Sequence, residues 1–219
     1  MITILLVDDH KLVRTAIKLL LKNIPDVEII GEAANGEEAV QLAKKLTPNL
    51  VLMDLKMPGI GGLEATNRIL NYNPEIRIMI LSSCIEEVYI PTHMMKLGAA
   101  GYITKNADIN EFITAIHKVH SGASYIAPEV AQRIALNQAN NLNTSPLTRL
   151  SKREIQIMWM VMEGTSVHEI AKKLFLSPKT VNTYRYRTFE KLQIKNNVQL
   201  MHLIYHYKML DHKQSISHL

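Results

Sequence analysis

Ile2-Thr3-Ile4-Leu5-Leu6-Val7-Asp8-Asp9 begins near the first residue of the chain as a short apolar run that stops at two carboxylates. Leu12, Val13, Ala16, Ile17, Leu20 and Leu21 follow at helical spacing, so the segment reads as a strand and then a helix. The same alternation recurs at 27–31 and 36–46, at 50–53 and 63–70, at 76–81 and 88–97, and at 101–104 and 109–119. Five βα units result. Apolar strands without a polar alternation are buried on both faces, which means a parallel sheet with helices on each side and right-handed crossovers. The expected fold of this part is α/β, a flavodoxin-like, doubly wound, five-stranded parallel sheet of order 2-1-3-4-5.

The 219 residues exceed one ordinary domain and predict two. Apolar residues at 47% and charged residues at 21% exclude a disordered or collagen-like chain. A single cysteine, Cys84, excludes an internal disulfide or a cysteine-rich zinc site, and its expected place is a small buried or loop position. No apolar run is long enough to span a bilayer, and the opening residues have neither a basic leader nor a small-residue cleavage site. A cytoplasmic location is expected.

Charge divides the chain. Residues 1–120 carry 12 Lys or Arg against 14 Asp or Glu, a net of −2, whereas residues 121–219 carry 13 against 6, a net of +7. A basic half attached to a mildly acidic one points to a polyanion-binding module, with nucleic acid as its partner. The expected boundaries are a first domain over 1–120, a linker over 121–147 containing a short helix at 128–137, and a small all-α domain over 148–212. Gln138 to Pro146 is polar, lacks aromatics and is rich in helix breakers. Four short helices are expected beyond it, at 152–163, 167–174, 178–192 and 196–210.

In a doubly wound sheet, ligands bind beyond the carboxyl ends of the strands at the point where the strand order reverses. Asp8 and Asp9 end the first strand and Asp54 the third, so three carboxylates converge there. Such a cluster repels itself without a cation, and oxygen-only ligands suit Mg²⁺. Ser82, ending the fourth strand, and Lys105, ending the fifth, can reach the same crevice, one as a hydroxyl donor and the other as a point charge for a phosphate. Met57-Pro58-Gly59 adds a shaped loop directly after the third strand.

Val7-Asp8-Asp9-His10, Leu52-Met53-Asp54-Leu55-Lys56-Met57-Pro58-Gly59, Leu81-Ser82 and Gly98-Ala99-Ala100-Gly101-Tyr102-Ile103-Thr104-Lys105 resemble the receiver domain of two-component response regulators. The resemblance implies that a sensor histidine kinase phosphorylates Asp54. It further implies that Asp8, Asp9, Asp54 and the Lys56 carbonyl hold Mg²⁺, that Lys105 contacts the phosphoryl group, and that Ser82 and Tyr102 form a switch pair. A phosphoryl group on Asp54 would draw the Ser82 hydroxyl toward it, and Tyr102 would rotate inward behind. One departure is a slightly long segment from Cys84 to Lys96, with Pro91 inside the expected fourth helix, where proline is unfavourable outside the first turn.

In the basic half, Ser151 is placed as the cap of a helix with Glu154 as its reciprocal partner, and Ile155, Met158, Trp159 and Met162 follow as core. Gly164 ends that helix. A short helix with Ile170, Ala171 and Leu174 inward leads through a tight Phe175-Leu176-Ser177 connection to Pro178 at the start of another, which makes a helix-turn-helix. In the second helix Val181, Tyr184, Thr188 and Leu192 fall on one side, and Lys179, Asn182, Thr183 and Tyr186 form a stripe suited to a major groove. Asn182 is expected to offer bidentate contacts to adenine. Arg185, Arg187 and Lys191 flank the stripe and suit phosphates.

Residues 150–210 resemble the LuxR-type helix-turn-helix domain, and a receiver followed by this domain resembles the NarL/FixJ class of transcriptional response regulators. Lys179-Thr180-Val181-Asn182-Thr183-Tyr184-Arg185-Tyr186-Arg187 is most similar to the GacA/UvrY/LetA subgroup and brings Thr180 into the DNA-binding set. That likeness implies a hybrid GacS/BarA-type kinase as partner, double-stranded DNA at small regulatory RNA promoters as target, and a homodimer formed on phosphorylation. Its dimer contact would be the last helix, where Val198, Met201, Leu203, Ile204 and Leu210 supply an apolar face that packing within the domain explains equally well for some of them.

Two other functions fit these residues less well. A free-standing Mg²⁺-dependent phosphotransferase or phosphatase would be expected to place an acid or base two residues beyond its aspartyl nucleophile, where this chain has Lys56. A small-molecule sensor fused to a DNA reader would have no use for three converging carboxylates. The expectation is a transcription factor, not an enzyme.

Overall fold

The computed structural model describes residues 1–82, 89–139, 146–162 and 164–204. Cys84, residues 140–145 of the linker and Leu210 lie outside them. The chain divides into two compact units, with the boundary after Gln132.

The first unit runs β1 (Ile2–Val7), α1 (Lys11–Leu21), β2 (Val27–Ala33), α2 (Gly36–Leu46), β3 (Leu50–Asp54), α3 (Gly61–Tyr72), β4 (Arg77–Ser82), α4 (Tyr89–Leu97), β5 (Gly101–Thr104), α5 (Ile109–His120), β6 (Tyr125–Ile126) and the first residues of α6 (Pro128–Ala139), within which the boundary falls. All strand pairs are parallel, in the order β2-β1-β3-β4-β5-β6. Every residue of β3 is buried, as are nearly all of β1 and β4, which is why these runs carry no polar alternation. β2 sits at the edge and is only partly covered, and its pairing with β1 shifts register at Ile4 and Leu5.

The sheet has six strands where the sequence predicts five. Tyr125 pairs with Gly101 and Ile126 with Tyr102, so residues assigned to the linker extend the sheet beyond β5. A two-residue strand leaves no periodicity to read. The pairing is reinforced by the Tyr125 hydroxyl, which donates to Glu111 Oε1 at 3.0 Å, and by Lys118 Nζ, 5.6 Å from the centre of the Tyr125 ring. Tyr125 is correspondingly harder to ionise: its burial and Glu111 push its pKa up to about 12. Pro91 falls in the first turn of α4, where no intrahelical bond needs its missing N–H.

Gly62 sets how closely α3 approaches the end of β3. A Cβ there would lie 1.9 Å from the Asp54 carbonyl oxygen, and the Gly62 N–H donates to the Leu55 carbonyl at 3.1 Å. Backbone cannot yield as a side-chain end can, so Gly62→Ala must push β3 and α3 apart. We expect a loss of about 1 to 3 kcal/mol in stability, measured by urea unfolding, together with slower labelling of the crevice by acetyl phosphate.

The second unit contains a 3-10 turn (Pro146–Arg149), α7 (Lys152–Met162), α8 (Val167–Leu174), α9 (Pro178–Leu192) and α10 (residues 197–204). Leu147, Leu150, Ile155, Met158, Leu192, Leu200 and Ile204 form one core cluster, with Trp159 and Met162 packed against it. Ile157, Met160, Ile170, Ala171, Leu174 and Val181 form another. Both helix entries are capped reciprocally. The Ser151 N–H donates to Glu154 Oε2 at 2.7 Å while the Glu154 N–H donates to Ser151 Oγ at 3.3 Å, and Ser166 with Glu169 repeats the device before α8. The second box follows the same Ser-x-x-Glu spacing and was legible in the sequence. Phe175, in the left-handed conformation at φ 54°, closes α8, and the Ser177 hydroxyl accepts from the Thr180 N–H at 3.0 Å to open α9. The two helices therefore form a helix-turn-helix.

Candidate functional site

Asp8 follows β1 and is fully buried, Asp54 is the last residue of β3 at 4% exposed, and Lys105 follows β5. The Lys105 ammonium lies 2.6 Å from Asp8 Oδ2 and 3.0 Å from Asp54 Oδ2, so one cation bridges two carboxylates from neighbouring strands. Burial works against the Lys105 charge, but the contacts with Asp8 and Asp54 outweigh it and hold its pKa above the ordinary lysine value. Burial also dominates at Asp54 and, helped by Asp8, raises its carboxyl above the usual range despite Lys105. Asp9 stands beside them, partly exposed.

Carboxylate oxygens of Asp8, Asp9 and Asp54 and a ring nitrogen of His10 all lie within 4.8 Å of one another. Asp9 Oδ1 is shielded from solvent; it lies 2.8 Å from His10 Nδ1 but without the alignment of a hydrogen bond. Three carboxylates against one ammonium leave an excess negative charge, and Asp9 supplies an acceptor lacking a donor. The cluster can bind a metal ion, and its oxygen donors fit a hard divalent cation.

The expected neighbours are close at hand. Ser82 is the last residue of β4, next to the partner of Asp54, and its carbonyl accepts from the Lys105 N–H at 2.8 Å. Tyr102, expected to rotate inward, is already inside at 1% exposed. Lys56 donates its backbone N–H to Asp54 Oδ1 at 3.3 Å. Arg14 was not anticipated: its Nη1 donates to the Asp8 carbonyl at 2.7 Å and its Nε to Glu32 Oε2 at 3.2 Å, which buttresses the crevice from α1. Thr104, adjoining Lys105, donates to Glu129 Oε1 at 3.2 Å and ties the start of α6 to the end of β5. No local pattern marks either pair, because their members are distant in sequence.

On α9, Val181, Thr188 and Leu192 are buried and Tyr184 half-buried, as the helical spacing predicts. Lys179, Thr183, Tyr186 and Arg187 are exposed, with Asn182 and Thr180 partly so. Thr180 sits in the cap, its hydroxyl 2.8 Å from Ser177 Oγ. The outward face is thus polar and basic, on the second helix of a helix-turn-helix.

Residues 4–117 match the family described as response regulator receiver domain, and residues 148–204 match bacterial regulatory proteins, luxR family. The chain belongs to the response regulator family. It is 48% identical over 212 residues to response regulator GacA of Pseudomonas aeruginosa, covering 96% of this chain and 99% of that protein. It is also 48% identical over 204 residues to response regulator UvrY of Escherichia coli, covering 93% of each. Among solved structures, the RcsB response regulator of Salmonella typhimurium superimposes with a TM-score of 0.74 at 25% identity, over 93% of this chain and 96% of that one. A LuxR-family two-component response regulator from Aurantimonas sp. SI85-9A1 matches at 35% identity and a TM-score of 0.61, over 64% of this chain and 99% of that one. The regulator therefore couples a receiver domain to a LuxR-type DNA-binding domain and acts in transcription regulation. None of its described helices is long and apolar enough to cross a membrane.

Two of the regulator's basic residues assigned to phosphates are engaged within the domain. Lys191 Nζ lies 2.7 Å from Glu154 Oε2, and Arg185 donates to Asn182 and Asn197. Burial alone would raise the Glu154 pKa, but the Lys191 bond and the Ser151 cap together lower it below the ordinary glutamate value. A depressed carboxyl contributes stability above its unfolded pKa, near 4.5, and loses it as pH falls through the folded value. Glu154→Gln should therefore cost about 1 kcal/mol at pH 7, and the cost should shrink as pH falls below 4.5 and vanish once pH passes below the folded pKa. Trp159, the sole tryptophan, packs on the adjoining core and reports the unfolding by fluorescence.

Proposed function

We propose that this regulator accepts a phosphoryl group on Asp54 from a sensor histidine kinase and, once phosphorylated, dimerises and binds promoter DNA through α9. The observation that carries the phosphorylation step is the Lys105 ammonium set between Asp8 and Asp54 at the carboxyl ends of three parallel strands. An Asp54 oxygen attacks phosphorus as the bond to the donor's nitrogen breaks, and Lys105 balances the charge arriving on the phosphoryl oxygens. Mg²⁺ held by Asp8, Asp9, Asp54 and the Lys56 carbonyl would shield the nucleophile from the incoming phosphate and stabilise the transferring oxygens. Ser82 hydrogen-bonds the new phosphoryl group, and Tyr102 packs behind it as the switch partner.

On DNA, the stripe of Lys179, Asn182, Thr183 and Tyr186 enters the major groove while Arg187 holds a phosphate, with Thr180 at the helix N-terminus. The similarity to GacA and UvrY supports a hybrid sensor kinase of the GacS/BarA type as phosphodonor and small regulatory RNA promoters as targets, in the cytoplasm. The dimer contact is the α10 face carrying exposed Val198 and Met201, whereas Ile204, expected in that contact, is buried in the domain core with Leu203 packed against it.

Calorimetric titration with MgCl₂ tests the metal assignment. Asp9→Ala should weaken Mg²⁺ binding at least tenfold, since it removes one of the few charged ligands. Unchanged affinity would remove Asp9 from the ligand set.

A further inference from the structure

Arg185 is half-buried on α9, on the flank next to buried Val181 and Thr188. Its Nη1 donates to Asn182 Oδ1 at 3.0 Å and its Nη2 to Asn197 Oδ1 at 3.4 Å, at the start of α10. The guanidinium lies 5.9 Å from the centre of the Phe189 ring, beside a small gap lined by Met158, Val161, Thr188 and Leu200. Its Nε is sealed from solvent without a hydrogen-bond partner among the described residues. A side chain so anchored cannot swing out to a phosphate without breaking both amide contacts and leaving its stacking partner.

The chemistry of the pair then orients Asn182. A guanidinium has donors and no acceptor, so the amide must turn its oxygen toward Arg185 and its NH₂ away. That NH₂ makes no hydrogen bond among the described residues, and Asn182 lies on the helix face next to exposed Thr183 and Tyr186. In the major groove, guanine shows two acceptors, N7 and O6, whereas the bidentate pairing with adenine needs the amide oxygen as well.

We propose that Arg185 is a positioning residue for base reading: it fixes Asn182 as an outward donor, so that Asn182 selects guanine rather than adenine. The inference rests on the assignment of α9 as the DNA-reading helix. It replaces the expected adenine contact of Asn182 and the expected phosphate contact of Arg185.

The test uses the full chain and a pool of randomised duplexes, from which the preferred sequence is selected. Wild type, Asn182→Ala, Arg185→Met and the double variant are then titrated at several salt concentrations. The duplexes are the preferred one, its variants with each base at the position where Asn182→Ala loses discrimination, and a scrambled one. Wild type should favour guanine there by about tenfold or more. Arg185→Met should lose that preference while keeping scrambled-duplex affinity within about twofold and an unchanged salt slope, and the double variant should match Asn182→Ala. A preference for adenine, additive losses in the double variant, or a salt slope lowered by about one with both duplexes weakened alike would each overturn the proposal. Should Arg185→Met fail to fold, Asn182→Asp keeps an oxygen for Arg185 but has no donor. It should lose the guanine preference as a ratio whatever its overall affinity, and a retained preference overturns the proposal. A wild-type chain that binds every duplex equally would instead refute α9 as a sequence reader, and the proposal with it.

Discussion

Asp54→Asn is expected to abolish labelling by acetyl phosphate and Mg²⁺ while the chain stays folded. The substitution keeps the side-chain volume and one carbonyl oxygen but removes the nucleophile. Stability should change little, because the carboxylate it replaces is buried beside Asp8, and Lys105 retains its 2.6 Å contact with Asp8. Intact-mass measurement after incubation gives the readout, since an acyl phosphate adds mass that hydroxylamine removes. Stoichiometric labelling of a folded Asp54→Asn chain would place the acceptor elsewhere. Asp9→Ala complements it, because a lost ligand slows labelling without removing the nucleophile.

Phosphorylation is expected to raise affinity for the preferred duplex by about 5- to 150-fold, the usual size of coupling between distant sites. The acceptor and the reading helix belong to different compact units, so phosphate can act only by favouring one of two states that differ in DNA affinity. Dimerisation is one such state and release of α9 is another. Titration of phosphorylated and unphosphorylated chain against the same duplex, with sedimentation of both forms, measures the gain. Equal affinity and equal mass in the two forms would exclude both routes.

The unalternating runs at β1, β3 and β4 demand burial on both faces, and with helical spacing between them this determines a parallel doubly wound sheet from the sequence alone. The acidic crevice was legible for the same reason: strand ends converge at one edge, so Asp8, Asp9, Asp54 and Lys105 had to meet once the strand order was settled. Caps were legible because Ser-x-x-Glu and Ser-Pro act within a few residues. Local patterns end there. β6 extending the sheet and Tyr102 standing inside both depend on packing between distant segments. Arg185 shows the limit most clearly. Its charge and helical position matched a phosphate contact, and only the tertiary structure, by setting Phe189 and Asn197 around it, turned the guanidinium inward onto Asn182. A sequence records which hydrogen-bonding groups a residue carries, but which partner satisfies them is decided by the fold.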